Sequence, residues 1–330
     1  MLLRIGIWLI GCWLAINASA QKAAAGIDTL AVLAGSYMDD GTMFVPDDSM
    51  SAVIPFSRAG NLIVIRARID GEEGNYILDT GAPGLVLNLT YFRHYATNHA
   101  LDGGDAQGGI TGASHNSSPT KIEDLHIGPF EYKRVSAHRV NLAHLENNKR
   151  IRIHGLLGLQ LFTRFEMIID YANNELHLHR ISKRESKSYQ HRLLQHAANY
   201  SVFDMAVKNG LLLTEASIGG RRLSFVLDTG AETTVLDSRL PNALLEQVVI
   251  ERRVTIAGTG SAKADALYGR LRQLEVGSRA MPDLPVVVTN LEAMSNAFDI
   301  RRLDGMLGYD FLARHLVAFN FVTRKMFIWK

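Results

Sequence analysis

Cysteine is all but missing from this chain: the only one is Cys12, inside an apolar N-terminal stretch. That leaves no disulfide framework, no cysteine nucleophile and no cysteine-ligated metal site for a mature fold. An excess of one charge is missing too. The 35 Lys and Arg against 33 Asp and Glu give a net charge of +2, so neither a nucleic acid nor an anionic surface is implied as partner. The sequence Gly-x-Ser-x-Gly does not occur, and with it goes the usual setting of a serine nucleophile. No apolar run is long enough to cross a bilayer comfortably, since the longest, Ile5 to Ile16, falls short of the roughly 20 residues required. What is present is ordinary: 330 residues, 47% of them apolar, enough for about two domains with a core each.

The N-terminus reads as an export signal. Arg4 supplies the charge, Ile5 to Ile16 the apolar segment, and Ala18-Ser19-Ala20 a small-x-small cleavage site before Gln21. The expectation is an exported protein, periplasmic or secreted, with residues 1–20 removed. Leu9-Ile10-Gly11-Cys12 also resembles a bacterial lipobox, so a lipid anchor at Cys12 is the alternative.

An internal duplication organises the rest. Leu62-Ile63-Val64 corresponds to Leu211-Leu212-Leu213, Ile69 to Ile218, and Val86-Leu87 to Val235-Leu236, all at an offset of 149 (228 − 79, the tripeptide aspartates below). Leu125-His126-Ile127-Gly128 corresponds to Leu274-Glu275-Val276-Gly277 at the same offset, and Gly155-Leu156-Leu157-Gly158 to Gly305-Met306-Leu307-Gly308 at 150. The halves are 51–180 and 201–330. A polar linker, 181–200, joins them, and its basic cluster (Arg180, Lys183, Arg184, Lys187, Arg192) reads as solvated. Residues 21–50 have no counterpart and are an N-terminal extension or propeptide. Short apolar or alternating runs ended by Asp70-Gly71, Gly219-Gly220 and Asn173-Asn174 predict strands and hairpins. Short helices are expected at 88–97, 239–248 and 290–297.

The same tripeptide recurs in both halves in one setting: Tyr76-Ile77-Leu78-Asp79-Thr80-Gly81-Ala82 and Phe225-Val226-Leu227-Asp228-Thr229-Gly230-Ala231. One Asp-Thr-Gly is a common turn signal. Two at corresponding positions of a duplication offer a pair of carboxylates, and a pair can act as acid and base together.

These motifs resemble the aspartic peptidases, specifically the retropepsin-like branch, over nearly the whole mature chain. The resemblance implies a mainly β fold of two homologous β-barrel lobes related by pseudo-two-fold symmetry, with Asp79 and Asp228 as a shared catalytic dyad. It implies that Thr80 and Thr229 hydrogen-bond across the lobes, that Gly81, Ala82, Gly230 and Ala231 complete the turns, and that Leu156-Leu157-Gly158 and Met306-Leu307-Gly308 form a second motif passing behind them. Glycines 108, 109 and 112, and 258 and 260, fall where that family carries flaps. The implied activity is peptide-bond hydrolysis on a peptide or protein substrate, without cofactor or metal, by a monomer with both lobes in one chain. A catalytically silent peptide-binding module of the same fold is the alternative. Alanine at 82 and 231 replaces the hydroxyl residue usual in pepsin-like members and removes a donor that favours the ionised acid, which predicts an optimum at mildly acidic to near-neutral pH.

Other candidates are weaker. Asp170 has Asn320 as counterpart and reads as a hairpin residue. Asp304 stands where the first half has His154. His177 and His179 alternate on one strand, as metal ligands do, but their counterparts are Phe327 and Trp329 and no third ligand is evident, so they are assigned to the surface or the lobe interface.

Overall fold

A computed structural model describes residues 7–8, 50–97, 107–109, 112–114, 118–189, 191–257 and 263–330. The sequence features at Cys12, the cleavage site at 18–20 and residues 21–49 lie outside these. Among the described residues no helix is long and apolar enough to cross a membrane.

The structure is mainly β. In the first half, strands β1 (Leu62–Ile69), β2 (Glu72–Asp79), β3 (Leu85–Asn88), β4 (Ser118–Ile127), β5 (Phe130–Val140) and β6 (Gly155–Gly158) pair in the order β1-β2-β6-β3-β5-β4. The circuit closes where Arg68 and Ile69 of β1 pair with His126 and Leu125 of β4. In the second half, β7 (Leu211–Ile218), β8 (Arg221–Leu227), β9 (Thr234–Asp237), β10 (Lys263–Val276), β11 (Arg279–Thr289) and β12 (Gly305–Leu307) pair in the order β7-β8-β12-β9-β11-β10. This circuit closes through Ser217 and Glu275. A closed sheet leaves no barrel edge to protect, and it lets small glycine-ended strands bury an entire face.

Short helices close the ends: α1 (Leu89–Phe92), α2 (Ala143–Lys149), α3 (Asn242–Leu245), α4 (Glu292–Ala297) and α5 (Tyr309–Leu312). Three coincide with the helical expectations but are shorter. The other two, α2 and α5, carry no amphipathic pattern of helical length and are held by tertiary contacts. Buried Asn88 shows how. Its side chain accepts from Thr90 N–H and Leu142 N–H and donates to the Ile153 carbonyl and Glu146 Oε2, tying α1 and α2 to the chain returning into β6. At the corresponding place Asp237 accepts from Leu291 N–H and Arg239.

A six-stranded sheet spans the halves. Its order is Tyr200–Lys208, Lys325–Trp329, Val317–Asn320, Phe165–Asp170, Glu175–Arg180, Met50–Pro55, three strands from each half. Met50, placed above in the N-terminal extension, begins the last of these. The inner face, with Met167, Ile169, Leu176, Phe319, Met326 and Ile328, joins the core shared by both barrels. The outer face carries His177, His179, Glu166 and Asn320, and the linker lies across it. The Tyr189 ring stacks on His179 at 3.7 Å, and the His179 nitrogens meet Ser51 Oγ at 2.7 Å and Glu185 Oε1 at 3.0 Å. His179 is therefore buried beneath the linker rather than at the surface. Arg180, grouped above with a solvated basic cluster, is buried as well.

Candidate active site

Asp79 ends β2, and Asp228 follows β8 directly. Both strands are buried up to the acid, because Ile77, Leu78, Val226 and Leu227 pack inside. The backbone behind them is fixed by the second motif. Strand β6 runs parallel to β2 with Leu157 beside Leu78 and Gly158 beside Asp79, and β12 runs parallel to β8 with Leu307 beside Leu227. Beyond β6, Leu159 N–H donates to the Ala82 carbonyl at 2.8 Å. Beyond β12, Tyr309 N–H donates to the Ala231 carbonyl at 2.9 Å. The glycine of each second motif has a steric reason. A Cβ on Gly158 would stand 2.6 Å from Ala82 O, and one on Gly308 2.6 Å from both Ala231 O and Thr233 O. The acid-bearing turn crosses the motif strand too closely for any side chain.

The two tripeptides meet. Thr80 N–H donates to Thr229 Oγ1 at 3.0 Å, and Thr229 N–H donates to Thr80 Oγ1 at 3.0 Å. Each hydroxyl passes its own proton on, Thr80 Oγ1 to the Leu227 carbonyl at 2.8 Å and Thr229 Oγ1 to the Leu78 carbonyl at 2.9 Å. Each hydroxyl thus both donates and accepts across the halves, which satisfies groups otherwise costly to bury. The tripeptide glycines face the opposite acid: a Cβ on Gly81 would lie 2.5 Å from Asp228 Cγ, and one on Gly230 2.6 Å from Asp79 Cγ.

Both carboxyls are fully buried. Asp79 Oδ1 accepts from Gly81 N–H at 2.9 Å and Ala82 N–H at 3.0 Å, whereas Asp228 Oδ1 accepts from Gly230 N–H at 2.8 Å. The Oδ2 atoms have no other protein partner among the described residues, and each carboxyl lies within reach of its twin. Burial pushes both acids above the ordinary carboxylate range. For Asp228 the charge of Asp79 adds to the rise. On Asp79 the hydrogen bond from Asp228 and the two backbone N–H groups oppose it. The arrangement favours one proton shared by the pair.

Of the flap glycines, Gly108, Gly109 and Gly112 lie in a small hairpin, Gln107–Gly109 with Gly112–Ser114, which rests against α4 of the second half. Gly258 and Gly260 lie outside the described residues, between strand Val248–Ala257 and β10, which pair as a hairpin up to Ala257 and Lys263. A cavity of about 740 Å³ sits beside this second hairpin, lined by Arg253, Asp265, Thr289, Asn290, Glu292 and Asn296 among others. Neither Asp79 nor Asp228 lines it.

The other candidates have structural partners. Asp170 caps its hairpin by accepting from Ala172 N–H and Asn173 N–H. His154 Nδ1 accepts from Asn75 N–H, and Asp304 Oδ2 from Ser224 N–H; different side chains thus serve the same backbone position in the two halves. No group of three metal-ligating side chains occurs among the described residues. Sequence reasoning passed over Lys149, Asn61 and Glu232, which meet between the halves beside the Asp228 turn. The available signal was the mismatch at offset 149 of Pro83 against Glu232.

A mainly β chain with closed six-stranded barrels and a buried pair of turn-borne carboxyls has the features of an aspartic peptidase fold. Residues 214–311 match the model of a family described as aspartyl protease. The matched segment runs from β7 to α5 and contains both Asp228-Thr229-Gly230 and Met306-Leu307-Gly308, which supports that family for this chain. No curated protein matches it.

Proposed function

We propose that the protein is an exported aspartic endopeptidase whose two halves are homologous lobes related by a pseudo-two-fold axis, each giving one acid to a single site. The observation that carries this reading is the reciprocal Thr80–Thr229 hydrogen bonding, which holds two buried carboxyls together where the halves meet. Asp79 is the ionised member and takes a proton from a water molecule as that water attacks the peptide carbonyl carbon. Asp228 gives its proton to the carbonyl oxygen. The resulting gem-diol collapses with proton transfer to the departing amine nitrogen, and the dyad returns to its singly protonated state. The substrate is an extended polypeptide beneath the glycine-rich hairpins. No covalent intermediate forms.

Incubation of the mature protein with a peptide library tests this, with Asp79→Asn and Asp228→Asn as controls. Each variant should lose activity by about 10²- to 10⁴-fold, the range typical of a lost acid or base. Full activity in either one removes the shared dyad. Tight peptide binding without cleavage by the wild type replaces the enzyme with a binding module. Because burial raises both acids, the rate should peak at mildly acidic to near-neutral pH, and a peak near pH 2 contradicts the assignment.

A further inference from the structure

The mismatch between Pro83 and Glu232 marks an unequal pair of contacts between the halves. Turn 60–61 of the first half packs against Glu232, and the corresponding turn 209–210 of the second packs against Pro83. On the first side the contact is ionic and buried. Glu232 Oε1 accepts from Asn61 N–H at 3.1 Å and meets Lys149 Nζ at 2.5 Å, while Asn61 Nδ2 donates to the Glu232 carbonyl at 3.0 Å. Both charged side chains are only 9% exposed. A Cβ on Gly60 would lie 2.7 Å from Glu232 Oε1, so the turn is shaped to admit the carboxylate. On the other side the contact is close but uncharged, a Cβ on Gly210 standing 3.0 Å from Pro83 Cβ, and Asn209 bonds instead to the Phe298 carbonyl of its own half. Among the described residues Lys149–Glu232 is the one ion pair joining the halves.

Both ends of this link are anchored. Lys149 ends α2, whose Glu146 is fixed by Tyr91 and by Ile153 N–H. Glu232 stands four residues after Asp228, in the turn held by Tyr309 N–H. The threonine bonds tie the two acid-bearing turns directly to each other, and bonds confined to one place resist separation of the halves better than rotation about it. A buried ion pair off centre resists rotation, since breaking it leaves a charge uncompensated. A sliding proline–glycine contact does not.

We propose that Lys149 and Glu232 are positioning residues: a one-sided ionic clamp that fixes the Asp228 turn against Asp79 and makes the two ends of the cleft unequal. The proposal rests on the endopeptidase reading, and its test has one arm that does not. Full-length Lys149→Met, the neutral pair Lys149→Met/Glu232→Gln, and Lys149→Arg are compared with wild type. The first arm is kinetic. The two charge-removing proteins should lose on the order of tenfold to a hundredfold in kcat, as small misplacements of reacting groups do, with KM nearly unchanged, and Lys149→Arg should keep most activity. The second arm follows the Asp79 and Asp228 carboxyl carbons by NMR through a pH titration. In the neutral pair the two titrations should move closer together, because carboxyls that drift apart couple less. Tyr171, which interacts with Asp228 and in turn with Tyr309 and Arg58, is the same in all four proteins, as are those two partners. The neutral pair leaves no lone buried charge, so it stays testable if the single variant fails to fold. Unmoved titrations, or wild-type kcat in the folded neutral pair, overturn the clamp. If wild type cleaves nothing, the endopeptidase reading falls alone and the titration arm still decides.

Discussion

The rise of the Asp228 carboxyl well above the ordinary carboxylate range comes from burial first and the charge of Asp79 second, opposed by the N–H groups of Gly230 and Gly81. It also has a thermodynamic sign. A carboxyl whose folded pKa lies above its unfolded value of roughly 4 contributes stability at pH below that value, and the contribution is lost as pH rises through the folded pKa. Asp228→Asn, which keeps a donor toward Asp79 but cannot ionise, should therefore be more stable than wild type above neutrality, by about 1–3 kcal/mol at pH 8. The advantage should vanish near pH 3.5. Urea unfolding at the two pH values measures it, and an equal difference at both would mean that Asp228 does not titrate high. Glu166 follows the same rule. Burial opposite Asn320 pushes it up to about 7, so Glu166→Gln should gain on the order of 2 kcal/mol across the interval from pH 4 to 8, readable as a rise in Tm confined to the alkaline side.

At the level of elements, the glycines of the second motif make the sharpest prediction. Gly158→Ala or Gly308→Ala places a methyl against carbonyl oxygens of the acid-bearing turn, and backbone cannot swing aside as a flexible side chain does. Each should cost about 2–4 kcal/mol and displace the acid it backs, whereas Gly71→Ala, with open space but φ near +87°, should cost less and spare activity. Chemical denaturation with parallel assays separates the two. These elements also show what the sequence made legible. The strands and their order of recurrence could be read because apolar pairs, turn glycines and tripeptides repeat at a fixed offset. The pairing of Thr80 with Thr229 followed only by resemblance, since no local pattern states which turn meets which. Helices α2 and α5 escaped notice because one or two turns carry too little periodicity, and burial of His179 escaped because a linker rich in charge still folded a tyrosine onto it. The Lys149–Glu232 contact was invisible for a related reason: it depends on where 149 and 232 meet in space, and the only trace in the chain is a broken match.

On the scale of the whole molecule, the three-plus-three sheet and the threonine bonds make the halves interdependent while each barrel keeps its own closed circuit. The sheet takes one of its inner strands, Lys325–Trp329, from beyond the second barrel. Each threonine hydroxyl spends its proton on a carbonyl of the opposite half, so neither acid-bearing turn has its full set of partners until both halves are present. A chain still on the ribosome, with residues up to about 180 emerged, can complete its first barrel and still hold only one acid. On the endopeptidase reading such an intermediate lacks half of its dyad, and its chemistry waits for the second acid-bearing turn.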